Sequence, residues 1–191
     1  MRDAYNTVFA ESEVNGKKVV VLQDIDPSDP REWDTLGVMA CFHKRYTLGD
    51  SHEYIKDDYG SWEEFRHQLV LDGAVNLRPL YLYDHSGISI SIGSFIGRAQ
   101  HAEWDSGQVG YIYTTEKALR DNGLTLEDAD RILEGEVETY DSYLTGQVYG
   151  YIVETQSTCE SCSHTETHNE DSCWGFYSVE EALAEGMAVA S

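Results

Sequence analysis

Glu134–Tyr177 reads EGEVETYDSYLTGQVYGYIVETQSTCESCSHTETHNEDSCWGFY. Carboxylates at Glu134, Glu136, Glu138 and Asp141 ride the end of a helix, and Gly146 stops it. Gln147–Thr155 then alternates apolar with polar residues, the period of a strand. Gln156–Ser172 is polar and is expected to be a Cys/His loop, and Cys173–Tyr177 is the aromatic return strand. Upstream, Thr125 with Asp128 three residues on forms a helix start. Leu126, Ala129, Ile132/Leu133, Val137, Tyr140 and Leu144 follow at the spacing of one buried helical face.

Asn6–Val14 alternates weakly and is expected to be a first strand, Asn15-Gly16 is a hairpin turn signal, and Lys17–Gln23 is a β-branched strand. Asp24–Asp34 carries Pro27 and Pro30 and reads as a loop. Thr35–Phe42 is apolar. Ser61 caps a helix over Trp62–Leu71, with Trp62, Phe65 and Leu69 on one face. Asn76–Tyr83 and Ile88–Ile92 flank the turn Asp84–Gly87. Gly93–Gly107 is irregular, and Gln108–Tyr113 is a further strand. Short helices are expected over Glu116–Asp121 and after Ser178. Strands joined by tight turns, with helices appended, predict an α+β fold. The expected form is a mainly antiparallel sheet with three to four helices packed on one side. One domain over 1–191 is expected, with 156–172 a polar hairpin insertion.

The chain is 41% hydrophobic and 12% aromatic, which excludes a disordered polymer despite a net charge of -22. No apolar run approaches the roughly 20 residues that span a bilayer, and MRDAYNTVFAESE lacks a signal-peptide core. A cytoplasmic protein is predicted, with no membrane partner. The charge repels nucleic acid. It is open to three readings: adaptation to a salty cytoplasm, mimicry of a phosphate backbone, or an ordinary acidic surface.

The blocks DPREWDTLGVMACFHKRYTLGD, PLYLYDHSGISIS, WDSGQVGYIY, EGEVETYDSYLTGQVYGYIVE and DSCWGFY recur in order over nearly the whole chain. Together they resemble a family of uncharacterised, acidic proteins encoded by phages and plasmids of bacteria and archaea. The resemblance implies a viral or mobile-element accessory protein acting inside an infected host cell. It carries no catalytic residues. In that family the hairpin before DSCWGFY is usually shorter and lacks the Cys/His cluster, so this chain departs there.

Four groups of residues have chemical potential. Cys159, Cys162, His164, His168 and Cys173 are five candidate ligands for a tetrahedral, structural zinc; a plain polar tip and a Cys159/Cys162 redox pair are the alternatives. Asp84, His85 and Asp105 are candidate acid-base residues, although neighbours at one turn do not line up as a triad. Glu127, Asp130, Glu134, Glu138 and Asp141 are expected on the outer face of the long helix, as a solvated face or a partner-binding row. Trp33, Trp104 and Trp174 mark packing or a ligand pocket. Cys41, within GVMACF, is expected in the core. The leading expectation is a protein that binds a host or viral protein, with host-defence evasion through an acidic, nucleic-acid-mimicking surface as its concrete form. A small hydrolase using His85 and a virion structural or assembly protein are the alternatives.

Overall fold

A computed structural model describes residues 7–159 and 161–191; the first residue of the expected opening strand, Asn6, lies outside them. The fold is α+β, and the described residues form five α-helices and two antiparallel four-stranded sheets. The chain divides into two compact units, one from residues 1–28 and 146–191, the other from 29–145.

The first unit is built from both ends of the chain. Its sheet has the order β1-β2-β7-β8, with β1 Val8–Val14, β2 Lys17–Gln23, β7 Tyr149–Thr158 and β8 Thr165–Phe176. The Asn15-Gly16 turn joins β1 to β2 with both residues at positive φ, the conformation that a two-residue hairpin needs. The β2–β7 pairing, Val19 opposite Val153 and Val21 opposite Tyr151, closes the sheet across the sequence. Helix α5, Val179–Ala190, packs Ala182 and Ala190 on Val19, Val21, Tyr151 and Val153. Gly186 lets it sit close: a Cβ there would lie 2.6 Å from Val19 Cγ1 and 3.0 Å from the Tyr151 ring.

The expected Gln156–Ser172 loop is largely ladder. Pairing runs on from Tyr151 opposite Cys173 to Thr158 opposite Thr165, leaving only a short turn. β8 is an edge strand, exposed over 165–175 on both faces. A strand wet on both faces needs no apolar residues, so polarity alone misleads here; the threonines that favour the pleat are the better guide.

In the second unit the sheet order is β3-β6-β4-β5, with β3 Val38–Cys41, β4 Ala74–Asp84, β5 Ile88–Ser91 and β6 Ser106–Thr115. Pro79 sits in β4 opposite Tyr111, while β5 reaches back only to Tyr81, so the side that a proline cannot bond is free there. Asn76, at φ 51, lies in the β4 register shift between Val75 and Arg78. Helix α1, Trp62–Leu71, packs Phe65 and Leu69 against Ala40, Ala74 and Tyr111. Helix α4, Leu126–Leu144, packs Leu133, Val137 and Tyr140 against Met39, Cys41, Leu80 and Ile112. Alternation along β3 and β6 puts these two helices on opposite faces of the sheet, not on one side. Helix α2, Ala102–Asp105, and helix α3, Glu116–Asn122, complete the unit.

Arg31 anchors the 29–37 segment. Asp29 accepts the Arg31 N–H at 2.8 Å and opens a 3-10 turn, while the Arg31 side chain is only 4% exposed. Its guanidinium forks onto Asp50 at 3.1 and 2.7 Å and donates to Glu136 at 3.1 Å and the Gly37 carbonyl at 2.6 Å. Burial alone would lower the Arg31 pKa, but Asp50 and Glu136 raise it above its ordinary value. Glu136 also accepts the Leu36 N–H at 2.7 Å. This carboxylate belongs to an internal network, not to the solvated face where its neighbours place it in the sequence.

Candidate functional site

Two recesses adjoin in the second unit. The larger, about 880 Å³, is walled by the chain from Cys41 to Asp57 and contains Phe42, His43, Lys44, Arg45, Tyr46, His52 and Lys56. The HKRY patch therefore forms part of a concave surface. His43 stacks on Tyr46, with ring centres 4.9 Å apart, and Lys56 lies over Trp62 at 4.5 Å. The His52 Nε2–H donates to the Cys41 carbonyl at 2.9 Å, which fixes the ring. Cys41 is buried as expected, and burial pushes its thiol up to about 12, so it is inert.

The smaller recess, about 310 Å³, shares Phe42, His43 and Arg45 and adds Asp84, Trp104 and Asp105. Asp105, at the end of α2, meets His85, at the turn after β4: Nδ1 to Oδ2 is 2.8 Å. His101 and Tyr83 flank the His85 ring, each with centres 5.9 Å away. Asp84 faces other partners, ion-paired to Arg45 and accepting from Tyr46 Oη at 3.3 Å. Of the three candidate acid-base residues, the fold thus unites His85 with Asp105 and sets Asp84 apart. Trp104 is 88% exposed, an unusual position for so large an apolar surface.

The carboxylates of α4 divide by role. Asp141 accepts from Ser89 Oγ and the Ile90 N–H, both at 2.7 Å, and so holds β5. Asp130 pairs with Arg78, which holds its carboxyl below the usual aspartate range. Glu127, Glu134 and Glu138 are exposed, but exposed Arg131 falls between them at helical spacing and breaks the row.

The Cys/His candidates lie along the β7–β8 hairpin. Cys159 and Cys162 share the tip, where the Cys159 N–H donates to the His164 carbonyl and the Ser163 N–H to the Cys159 carbonyl, both at 2.8 Å. Backbone N–H groups of Ser161 and Cys162 hydrogen-bond to the Cys159 sulfur and hold its thiol below the ordinary value of 9.0. His168 bonds Ser157 Oγ through Nε2 at 3.0 Å, and Glu166 lies 3.9 Å from both His164 Nε2 and His168 Nε2. Cys173 pairs with Tyr151, seven β7 positions from Thr158. That is roughly 23 Å at about 3.3 Å per residue, whereas two sulfurs on one zinc lie within about 4.6 Å of each other. The ladder takes Cys173 out of the expected ligand set, a consequence of reading as loop what is strand. Among the described residues, no three His, Cys, Asp or Glu side chains converge as a metal site. Among the described residues, no helix is long and apolar enough to cross a membrane.

Arg31, Lys56 and the exposed edge of β8 fall outside the groups of residues that stand out in the sequence. An arginine inside a Pro/Asp-rich loop is the sequence signal for the first; the other two depend on packing. No family model matches the chain, and neither a curated protein nor a solved structure is similar to it.

Proposed function

We propose that this chain is a viral or mobile-element accessory protein that binds a basic surface of a host or viral protein through its β7–β8 arm. The observation that supports this reading is the exposed, acidic character of the arm. From Ile132 to Ser191 the chain contains no lysine or arginine. β8 is wet on both faces and presents Glu166, Glu170 and Asp171. A cation-free run of carboxylates on a two-stranded projection presents spaced negative charge, as a phosphate backbone does, and steers a basic partner. This favours the arm over the outer face of α4, where Arg131 and the internal pairing of Asp130 and Asp141 dilute the charge. Within the arm, Lys17 engages Glu170 at 2.9 Å, leaving Glu166 and Asp171 as the leading contacts.

Affinity capture with the whole chain tests this. The native chain should retain a basic partner at low salt and release it at high salt, and a Glu166→Gln/Glu170→Gln/Asp171→Asn variant should retain none. Equal retention by native chain and variant would overturn the reading.

A small-hydrolase reading has one specific support, the His85–Asp105 pair beside the smaller recess. Asp105 accepting from Nδ1–H fixes the tautomer and leaves Nε2 with a lone pair, the form of a general base for a water nucleophile. Turnover of a panel of ester and phosphodiester substrates, abolished by His85→Ala, is the expected result. Equal rates in native chain and variant would end this reading.

A further inference from the structure

We infer that the recess walled by the chain from Cys41 to Asp57 binds a small organic phosphate with a planar aromatic body, a nucleoside monophosphate in class. Its size suits such a ligand: about 880 Å³ lies in the range of small-molecule sites. All the lining residues belong to the 29–145 unit, so the fold of that unit is enough to form it.

Charge is the first observation. The chain carries 35 aspartates and glutamates against 13 lysines and arginines, so a basic side chain is expected to find an acidic partner. Among the described residues nearly all do; only Lys44, Lys56 and Arg98 make no ion pair. Arg98 is occupied with the Ser94 and Gly93 carbonyls at 2.8 and 2.6 Å. The two lysines both line this recess. Arg45 joins them, with one nitrogen on Asp84 and further donors in its guanidinium. Of the two carboxylates on the wall, Asp50 is held by Arg31 and the Met39 N–H, both at 2.7 Å, which leaves Asp57 against three cations. Two ammonium groups and an arginine fork suit the several oxygens of a phosphate. A long polyanion would meet the acidic remainder of the chain, so a small one is selected.

The wall also fits a planar body. Phe42, Tyr46 and Leu48 supply apolar surface. His43 and Tyr46 lie with their ring planes 7° apart, a flat pair of the kind on which a base stacks. One polar atom of the wall is unsatisfied: His52 Nδ1 is buried and has no hydrogen-bond partner among the described residues. Buried polar groups are nearly always paired, so an orphan on a recess wall points to a partner that the chain itself does not supply. The inference goes beyond the partner-binding reading and requires neither it nor the hydrolase reading.

Calorimetric titration of the whole chain at low salt with the four ribonucleoside monophosphates tests the proposal. At least one of them should bind, at one per chain. The matching nucleoside, which lacks the phosphate, and ribose 5-phosphate, which lacks the base, should each bind more weakly by about tenfold or more. Lys44→Gln/Lys56→Gln should weaken the monophosphate by about the same factor with circular dichroism unchanged. Lys117→Gln, which removes a lysine paired to Asp121 elsewhere on the surface, should bind as the native chain does. Failure of every monophosphate to bind at millimolar concentration would overturn the proposal, as would equal binding by native chain and double variant. Equal affinity for the monophosphate and ribose 5-phosphate would overturn the stacked base.

Discussion

Replacing Arg31 with Met should destabilise the 29–145 unit more than any other single change to a charged residue outside the arm. The side chain is 4% exposed and serves Asp50, which is 21% exposed, and Glu136, which is 13% exposed. Methionine fills much of the volume but leaves both carboxylates facing a site with no cation. Removing one partner of a buried ion pair costs about 3–5 kcal/mol. The lower end applies here, because each carboxylate keeps backbone donors: the Met39 N–H at 2.7 Å for Asp50, and the Leu36 and Gly37 N–H groups for Glu136. A loss of about 3 kcal/mol is therefore expected. Glu136→Gln keeps an acceptor and the packing and should cost about 1.5–2 kcal/mol, the range of a hydrogen bond to a charged group. The double variant should lose less than the sum of the two, because both act on one network. Urea unfolding followed by tryptophan fluorescence is a suitable assay, since Trp33, Trp62 and Trp104 all lie in this unit. If Arg31→Met loses under about 1 kcal/mol, the range of a surface ion pair, the reasoning about burial is wrong.

Two glycine-to-alanine changes in helices should have opposite signs. Gly186→Ala forces a methyl to 2.6 Å from Val19 and should cost about 1–2 kcal/mol after the gain in helix propensity, whereas Gly135→Ala meets nothing within 4 Å and should stabilise by about 0.5–1 kcal/mol; chemical denaturation of each variant checks both. The first turn of α4 should fray in acid. The Thr125 hydroxyl and N–H lower the Asp128 pKa and Arg78 lowers that of Asp130, so their contribution is present above the ordinary value of 3.8 and lost as pH falls through the depressed folded-state values. Helical ellipticity of the native chain should then converge on that of Asp128→Ala as the pH is lowered. Melting at low and high salt separates the readings of the charge: adaptation to salt predicts a melting temperature that falls steeply as salt is removed, and salt-independent melting favours partner mimicry.

Local chemistry made several elements legible. Thr125 accepts the Asp128 N–H while the Asp128 carboxylate accepts the Thr125 N–H, which closes the capping box read from the spacing. Ser61 caps α1, and Asn15-Gly16 turns β1 into β2. Such features depend on residues three or four apart, so sequence alone specifies them. The Cys/His stretch misled because a ladder wet on both faces lacks the apolar alternation that marks a half-buried strand. His85 and Asp105 were both visible as candidates, but their 2.8 Å contact depends on where α2 ends relative to the β4 turn.

The α+β class, the helix caps, the buried stripe of α4 and the acidity of the last sixty residues are all legible in the order of residues along the chain. Tertiary structure alone decided how these were used. Pairing β2 with β7 drew both chain ends into one unit, and packing α4 beside the 29–37 loop turned Glu136 from a surface charge into the partner of Arg31. The β7–β8 register left Cys159 and Cys162 at the tip of the hairpin and carried Cys173 down the ladder, opposite Tyr151. The physical reason is the same in each case. Caps and periodicities are short-range properties of the chain, whereas ion pairs and ligand sets depend on distances between segments far apart in sequence, and only a folded register specifies those.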